Sequence, residues 1–273
     1  MENRRCCGTR CPKRPQGSTV YRSRAGHAAA VRGIFASRVI LITLPDDAVT
    51  EVAEELARIG AEELRGKVVL HTSGALGPSV LGVLKSNGAA VGGMHPLQTF
   101  SGVGVPPLEG KIFAIGGDVE AAKTARQIVR ALGGSPVWME RNKKVLYHAA
   151  AVMAAGQVLA VEEAATQLFV SLGVRRREAV RALLSLTRQV LENFERLGPR
   201  AAWTGPLSRG DFKVVRAHSD ALRESPKEFA HAYEALNRLA GRVLAKDAAG
   251  MLAELGKTSM EQKAKAKTTG GNA

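Results

Sequence analysis

Residues 38–73 read RVILITLPDDAVTEVAEELARIGAEELRGKVVLHTS, and the architecture follows from that stretch. RVILITLP is a run of β-branched and aliphatic residues between polar flanks, the pattern of a parallel strand buried on both faces. DDAVTEVAEELARIG then opens acidic, spaces Val49, Val52, Leu56 and Ile59 along one helical face, and stops at Gly60. KVVLHTS begins a second buried strand.

The alternation continues on both sides. Upstream, STVYRS (18–23) is a short strand candidate. Downstream come a helix over 78–86, a strand AAVGGMHP, a Gly/Pro-rich loop over 101–110, a strand KIFAIGG, a helix over 118–132 and a strand SPVWM. Strands alternating with helices at this spacing predict a parallel α/β sheet. The character changes at Asn142, where helix-compatible residues persist to Gly173, with further helices over 175–197, 211–223 and 226–246. The expected layout is a disordered basic segment (1–17), an α/β domain (18–141), an all-α domain (142–256) and a disordered polar tail (257–273).

The net charge of +14 invites a nucleic-acid reading, so its distribution matters. Residues 1–32 carry eight Lys/Arg against one Glu, and residues 257–273 carry four Lys against Glu261. The two ends thus hold ten of the fourteen charges. With no recognition helix and no aromatic–basic interleaving, they read as solvated tails, and no nucleic-acid partner is expected. Cys6, Cys7 and Cys11 lack a fourth ligand at zinc-site spacing, so no metal is expected. No uninterrupted apolar run reaches about 18 residues, and the basic N-terminus lacks a signal-peptide core. The expectation is a cytoplasmic protein without a membrane partner.

Open parallel sheets bind ligands beyond the carboxyl ends of their strands. His71, His95 and the turn Leu44-Pro45-Asp46 all fall at such ends. The histidines sit beside hydroxyl and amide groups: Thr72 and Ser73, then Gln98 and Thr99. Imidazole exchanges protons near neutral pH, so two at matching strand ends on one rim are candidates for chemistry. Tyr147 and His148 open the long helix in LYHAAAV. In TGPLSRGDFKVVRAH, Thr204, Gly205 and Pro206 break the chain, and Ser208 or Asp211 is placed to cap the next helix. Arg209 beside that helix start is an expected anion contact, and His218 lies two turns along from Asp211.

HTSGAL, HPLQTF, YHAAAV and TGPLSRGD, in this order, resemble a bacterial family of unknown function. Its members pair a Rossmann-like NAD(P)-binding domain with a C-terminal helical domain. It is related to pyrroline-5-carboxylate reductase and the 6-phosphogluconate dehydrogenase-like oxidoreductases. The resemblance covers about residues 18–250. It implies hydride transfer between NADP (or NAD) and a small carbonyl, imine or hydroxyacid compound, an active site between the two domains, and a homodimer formed through the helical domain.

Carried onto this chain, the resemblance makes His71, Ser73, His95, His148 and Arg209 the catalytic candidates. Gln98, Thr99, Tyr147, Thr204, Ser208, Asp211 and His218 are candidates for holding substrate. Ser23, Arg24, Leu44, Pro45, Asp46 and Thr72 are candidates for holding cofactor, with Ser23 and Arg24 where a 2′-phosphate would sit. Two departures stand out. No GxGxxG turn precedes STVYRS, which removes the backbone cradle for the pyrophosphate and predicts weak cofactor binding. Gly156 stands where the family has an Asn. The alternative expectation is a non-catalytic, degenerate Rossmann module that binds a metabolite or scaffolds a dimer.

Overall fold

The computed structural model describes residues 33–257. STVYRS, Ser23, Arg24 and the three cysteines lie outside the described residues. The chain divides into two compact units, the first running to Gly156 and the second starting at Gln157. The division falls 15 residues beyond the expected boundary at 141, because the first turns of the long helix stay with the sheet.

The first unit is built on a five-stranded sheet: β1 (Val39–Ile42), β2 (Val68–His71), β3 (Ala90–Pro96), β4 (Ile112–Gly117) and β5 (Ser135–Trp138), in that spatial order. β1, β2 and β3 are parallel, with Ile42 opposite His71 and His71 opposite Gly93. β4 runs antiparallel to β3, pairing His95 with Ala114, and β5 is parallel to β4. The sheet is therefore mostly parallel rather than wholly so. The reason is local. Residues 97–111 contain no helix, and without a crossover helix the chain turns back beside the strand it has just left.

Side chains alternate across the sheet with a period of two, and each face has its own core. Ile40, Ile42, Val69 and Val91 pack under α1 (Asp46–Ile59), which buries Val49, Ala53, Leu56 and Ala57. Val68, Leu70, Met94, Phe113 and Ile115 pack under α3 (Val119–Ala131), which buries Ala121, Ala125 and Val129. Between them, α2 (Gly82–Ser86) follows a short 3-10 turn, Pro78–Leu81. The same parity puts His71 and His95 on the face of Val69 and Val91. The two histidines thus share one rim and one face.

After β5, a 3-10 turn (Arg141–Lys143) leads into α4 (Lys144–Val152), a π-helical turn (Met153–Gln157) and α5 (Val158–Ser171). Gly156 lies inside the π turn. Arg141–Ser171 is helical for 31 residues, with a mean hydropathy of 1.4 in its most apolar window and none of that window buried. By length and composition it could cross a membrane, although polar residues break it into short apolar runs.

In the second unit, α5 packs on α6 (Arg176–Leu197). Arg176 forks onto both carboxylate oxygens of Glu163, at 3.1 and 2.7 Å, and the Thr187 hydroxyl donates to Glu162. The helix pair leaves Leu159, Leu172, Leu186 and Phe194 exposed. A separate cluster of Leu207, Val215 and Leu255 joins α8 (Phe212–Ala221) to α9 (Lys227–Val243) and a helical stretch at 248–257. The short helix Pro199–Ala202, α7, precedes them.

Leu70 is fully buried between β3 and α3. Leu70→Ala should lower the stability of the first unit by about 2–5 kcal/mol. Urea unfolding followed by Trp138 fluorescence in a Trp203→Phe background reads that unit alone.

Candidate functional site

The carboxyl ends of β2 and β3 and the first turns of α4 converge on the α1 face of the sheet. His71 closes β2 and is 0% exposed, with both ring nitrogens lacking a hydrogen-bond partner of ordinary geometry. Burial, seconded by the Lys144 charge, pulls its pKa from 6.5 to about 4, with the Asp46 charge and then the Gly77 backbone opposing the shift. His95, half-buried on β3, lies with its Nδ1 2.8 Å from the Tyr147 hydroxyl. Burial and the neighbouring His148 also hold His95 at about 4, so it is neutral at pH 7. Burial raises the Tyr147 phenol above its ordinary range. With a protonated phenol beside a neutral imidazole, the tautomer in which the phenol donates to Nδ1 keeps the His95 proton on Nε2. His148 meets the His95 ring edge-on at 5.8 Å.

The residue that sequence reasoning missed is Lys144. It is 3% exposed, and its Nζ donates to the Ser73 carbonyl at 3.0 Å. Among the described residues it has no ion pair, and burial lowers its pKa from 10.5 to about 8. The signal was present in KKVLYH: Lys144, Tyr147 and His148 recur at i, i+3 and i+4, one helical face. Two glycines make room for the group. A Cβ at Gly93 would lie 3.0 Å from His71 Cε1 and 3.1 Å from Lys144 Nζ. One at Gly74 would lie 2.4 Å from His148 Cδ2 and 2.8 Å from His95 Nε2. Both glycines allow side chains to close over the strands.

Other first-unit candidates are engaged in holding the backbone. Ser73 Oγ accepts from the Ala75 and Leu76 amides at 3.2 and 2.9 Å, shaping the HTSGAL loop. The Thr72 amide donates to Ile42. The Gln98 side chain donates to the Pro107 carbonyl and accepts from the Thr99 amide, so it ties down its own loop. Leu44 packs against the α1-side core, Pro45 stands at the N-cap of α1, and Asp46 opens that helix. Asp46 is exposed, and its charge acts on His71, His95 and Lys144.

The second-unit candidates form a different local arrangement. Arg209 Nε donates to Asp211 Oδ2 at 3.1 Å, an exposed pair. The Ser208 hydroxyl donates to Gly205 O at 2.8 Å. Neither Ser208 nor Asp211 caps α8 as expected. Asp211 occupies the N-cap position without a side-chain cap bond, because Arg209 holds its carboxylate. Thr204 is exposed, and exposed His218 pairs with the Tyr233 hydroxyl at 2.8 Å. Ser208 also lines an open cavity of about 610 Å³ with Arg200, Trp203, Phe212 and Lys246.

A nicotinamide dinucleotide fits this set at one end only. The proton-bearing cluster at the strand ends suits the reacting ring. The βα turn after β1, however, opens α1 with Asp46 and Asp47, and carboxylates at a helix start disfavour phosphate. The described residues therefore supply no pyrophosphate cradle.

Fold and site together define a Rossmann-like sheet unit followed by a helical unit. The sequence model of a Rossmann-like domain matches residues 25–96. That of DUF2520, a domain of unknown function, matches residues 111–240. The chain therefore carries a Rossmann-like domain followed by a DUF2520 domain. Among solved structures it is similar to a protein of Thermotoga maritima, with 23% identity, TM-score 0.59, and coverage of 72% of this chain and 74% of that one. It is also similar to a Bacteroides fragilis protein described as a candidate NADP oxidoreductase, with 21% identity, TM-score 0.62 and 73% of each chain covered. A third likeness is to Plasmodium falciparum pyrroline carboxylate reductase with NADP bound, at 11% identity, TM-score 0.50, and 74% and 77% coverage. At these identities the likeness is one of fold. Among curated proteins none matches the chain.

Two pH responses follow. His71 is neutral when folded and takes up a proton below 6.5 when unfolded. The unfolded chain therefore binds more protons between pH 6.5 and about 4, and stability falls as pH drops through that window. Urea midpoints at pH 7 and pH 4.5 should differ less in His71→Leu than in the wild type. Lys144→Met removes a buried cation and should stabilise the unit at pH 7 by about 1–3 kcal/mol. That advantage should shrink above pH 8, where the wild-type amine loses its proton.

Proposed function

We propose that this chain is an NAD(P)-dependent oxidoreductase of the reductase type, acting on a small carbonyl, imine or hydroxyacid compound. The observation that carries the reading is the His95–Tyr147 pair beside His148 and buried Lys144, set at the strand ends of a Rossmann-like sheet. A bound nicotinamide supplies hydride. The chain's own groups handle the accompanying proton: Tyr147 holds His95 in the tautomer that keeps a proton on Nε2, available to a substrate atom. His148 is the neighbouring base able to exchange it. His71 and Ser73 shape the wall on which the ring would lie. Leu44, Pro45, Asp46 and Thr72 border that wall. Arg24 and Ser23 are the proposed 2′-phosphate contacts, and the absent GxGxxG turn makes cofactor binding weak. Arg209, Ser208, Thr204, Asp211 and His218 remain proposed substrate contacts, with Arg209 needing release from Asp211 before it can hold an anion.

The reading includes a homodimer formed through the helical unit and a cytoplasmic location without a membrane partner. The exposed Leu159, Leu172, Leu186 and Phe194 of α5 and α6 support the dimer, since clustered exposed apolar side chains mark association surfaces. A second reading, a metabolite-binding module without turnover, is favoured by one observation: the sequence carries no GxGxxG turn.

NADPH titration and a panel of oxo acids, cyclic imines and hydroxyacids decide between the two. The enzyme reading expects turnover, reduced about 10²- to 10⁴-fold by His95→Ala and Tyr147→Phe without loss of NADPH affinity. Binding without turnover leaves the module, and absence of NADPH binding overturns the oxidoreductase. In sedimentation, Leu159→Glu with Leu186→Glu should convert a dimer to monomer.

A further inference from the structure

The ligand preference of the first-unit cluster can be taken further from its charges, on the reading that this cluster is the substrate site. Lys144 is 3% exposed, donates one hydrogen bond to the Ser73 carbonyl, and has no ion pair among the described residues. A buried ammonium is ordinarily paired, because several kcal/mol of hydration are lost on burial. The negative charge that reaches it belongs to Asp46. His71, packed against the same Gly93 position, is fully buried with both nitrogens unpartnered. None of His95, Tyr147 and His148 carries a carboxylate, and the Tyr147 hydroxyl is a hydrogen-bonding group beside the His95 ring. Asp46 is exposed and forms no ion pair with Lys144.

A site with one shielded cation, several N–H and O–H donors and no inward carboxylate is complementary to negative charge. It is opposed to a cationic ligand such as an iminium, whose charge needs an acid beside it. Arg209, the sequence candidate for an anion, is exposed and already paired with Asp211. We propose that Lys144, not Arg209, supplies the positive field for the substrate, and that the substrate is a small organic acid rather than an uncharged or cationic compound. The half-buried faces of His95, Tyr147 and His148 form the reachable wall, and Lys144 acts from beneath them. Lys144 is thus a positioning residue that selects ligand charge.

The test uses the full chain and binding, so it does not depend on cofactor. Pyruvate, its uncharged methyl ester and 1-pyrroline are titrated while the imidazole C–H proton resonances are followed by NMR. The expected result is that pyruvate shifts the His95 and His148 signals and binds at least tenfold more tightly than the ester or 1-pyrroline. Lys144→Met should remove that preference and leave ester binding unchanged, and Lys144→Arg should restore part of it. Equal binding of pyruvate and ester, tighter binding of 1-pyrroline, or no pyruvate binding at 10-fold above the ester's working range overturns the proposal. So does a preference that survives Lys144→Met. Urea curves confirm that each variant is folded, and Lys144→Arg keeps the charge test valid if Lys144→Met is not. NADPH titration in parallel separates the outcomes: a chain that prefers pyruvate without binding NADPH loses the oxidoreductase reading and keeps this one.

Discussion

The Lys144 ammonium reaches the Ser73 carbonyl through a 3.0 Å hydrogen bond in a place water barely enters. That contact ties α4 to the loop after β2, and the surrounding composition answers to it. Gly93 lacks the side chain that would crowd Lys144 and His71 over β3. Gly74 must lack one so that His148 and His95 can close on the loop. Ser73 must turn the backbone with its hydroxyl, because its carbonyl faces the ammonium. The same desolvation keeps His71 and His95 neutral. Burial therefore sets the protonation states of these neighbours, and the Lys144 charge adds to it.

The arrangement separates two requirements that a dinucleotide enzyme ordinarily meets together. Acid–base groups stand at the strand ends, where developing charge on a substrate would be handled. A phosphate cradle is not among the described residues, and the first described βα turn presents Asp46 and Asp47 instead. Chemistry at the ring and grip on the phosphates are physically independent, since one needs tuned proton donors and the other a row of free amides. A chain can retain the first while lacking the second.

Much of this was legible in the residues. The β-branched runs and helix-period stripes gave the strands and helices of the first unit, because both periodicities are written directly into burial. Strand parity and the rule of carboxyl-end sites brought His71 and His95 to one rim. The antiparallel return of β4 was hidden because its cause is the absence of a helix in residues 97–111, and a Gly/Pro-rich loop looks alike in either topology. Lys144 was missed because a lysine at a helix start normally reads as solvent-facing. Only packing against Ser73 and Gly93 shows that it turns inward. The roles of Ser208 and Asp211 escaped for a related reason: capping propensity is local, and the Arg209 pair that outcompetes it is a side-chain contact.

The order of the described strands has a kinetic meaning as well. Each strand of the sheet lies beside its neighbour in sequence, from β1 through β5, so no described pairing waits for a distant segment. This order keeps the loops that must close before contacts form shorter than any pairing of non-neighbouring strands would. They also suit a chain that emerges from the ribosome in one direction, because β2 can dock on β1 before β3 exists and each step covers apolar surface just exposed. The order in which the strands are made is the order in which they can pair.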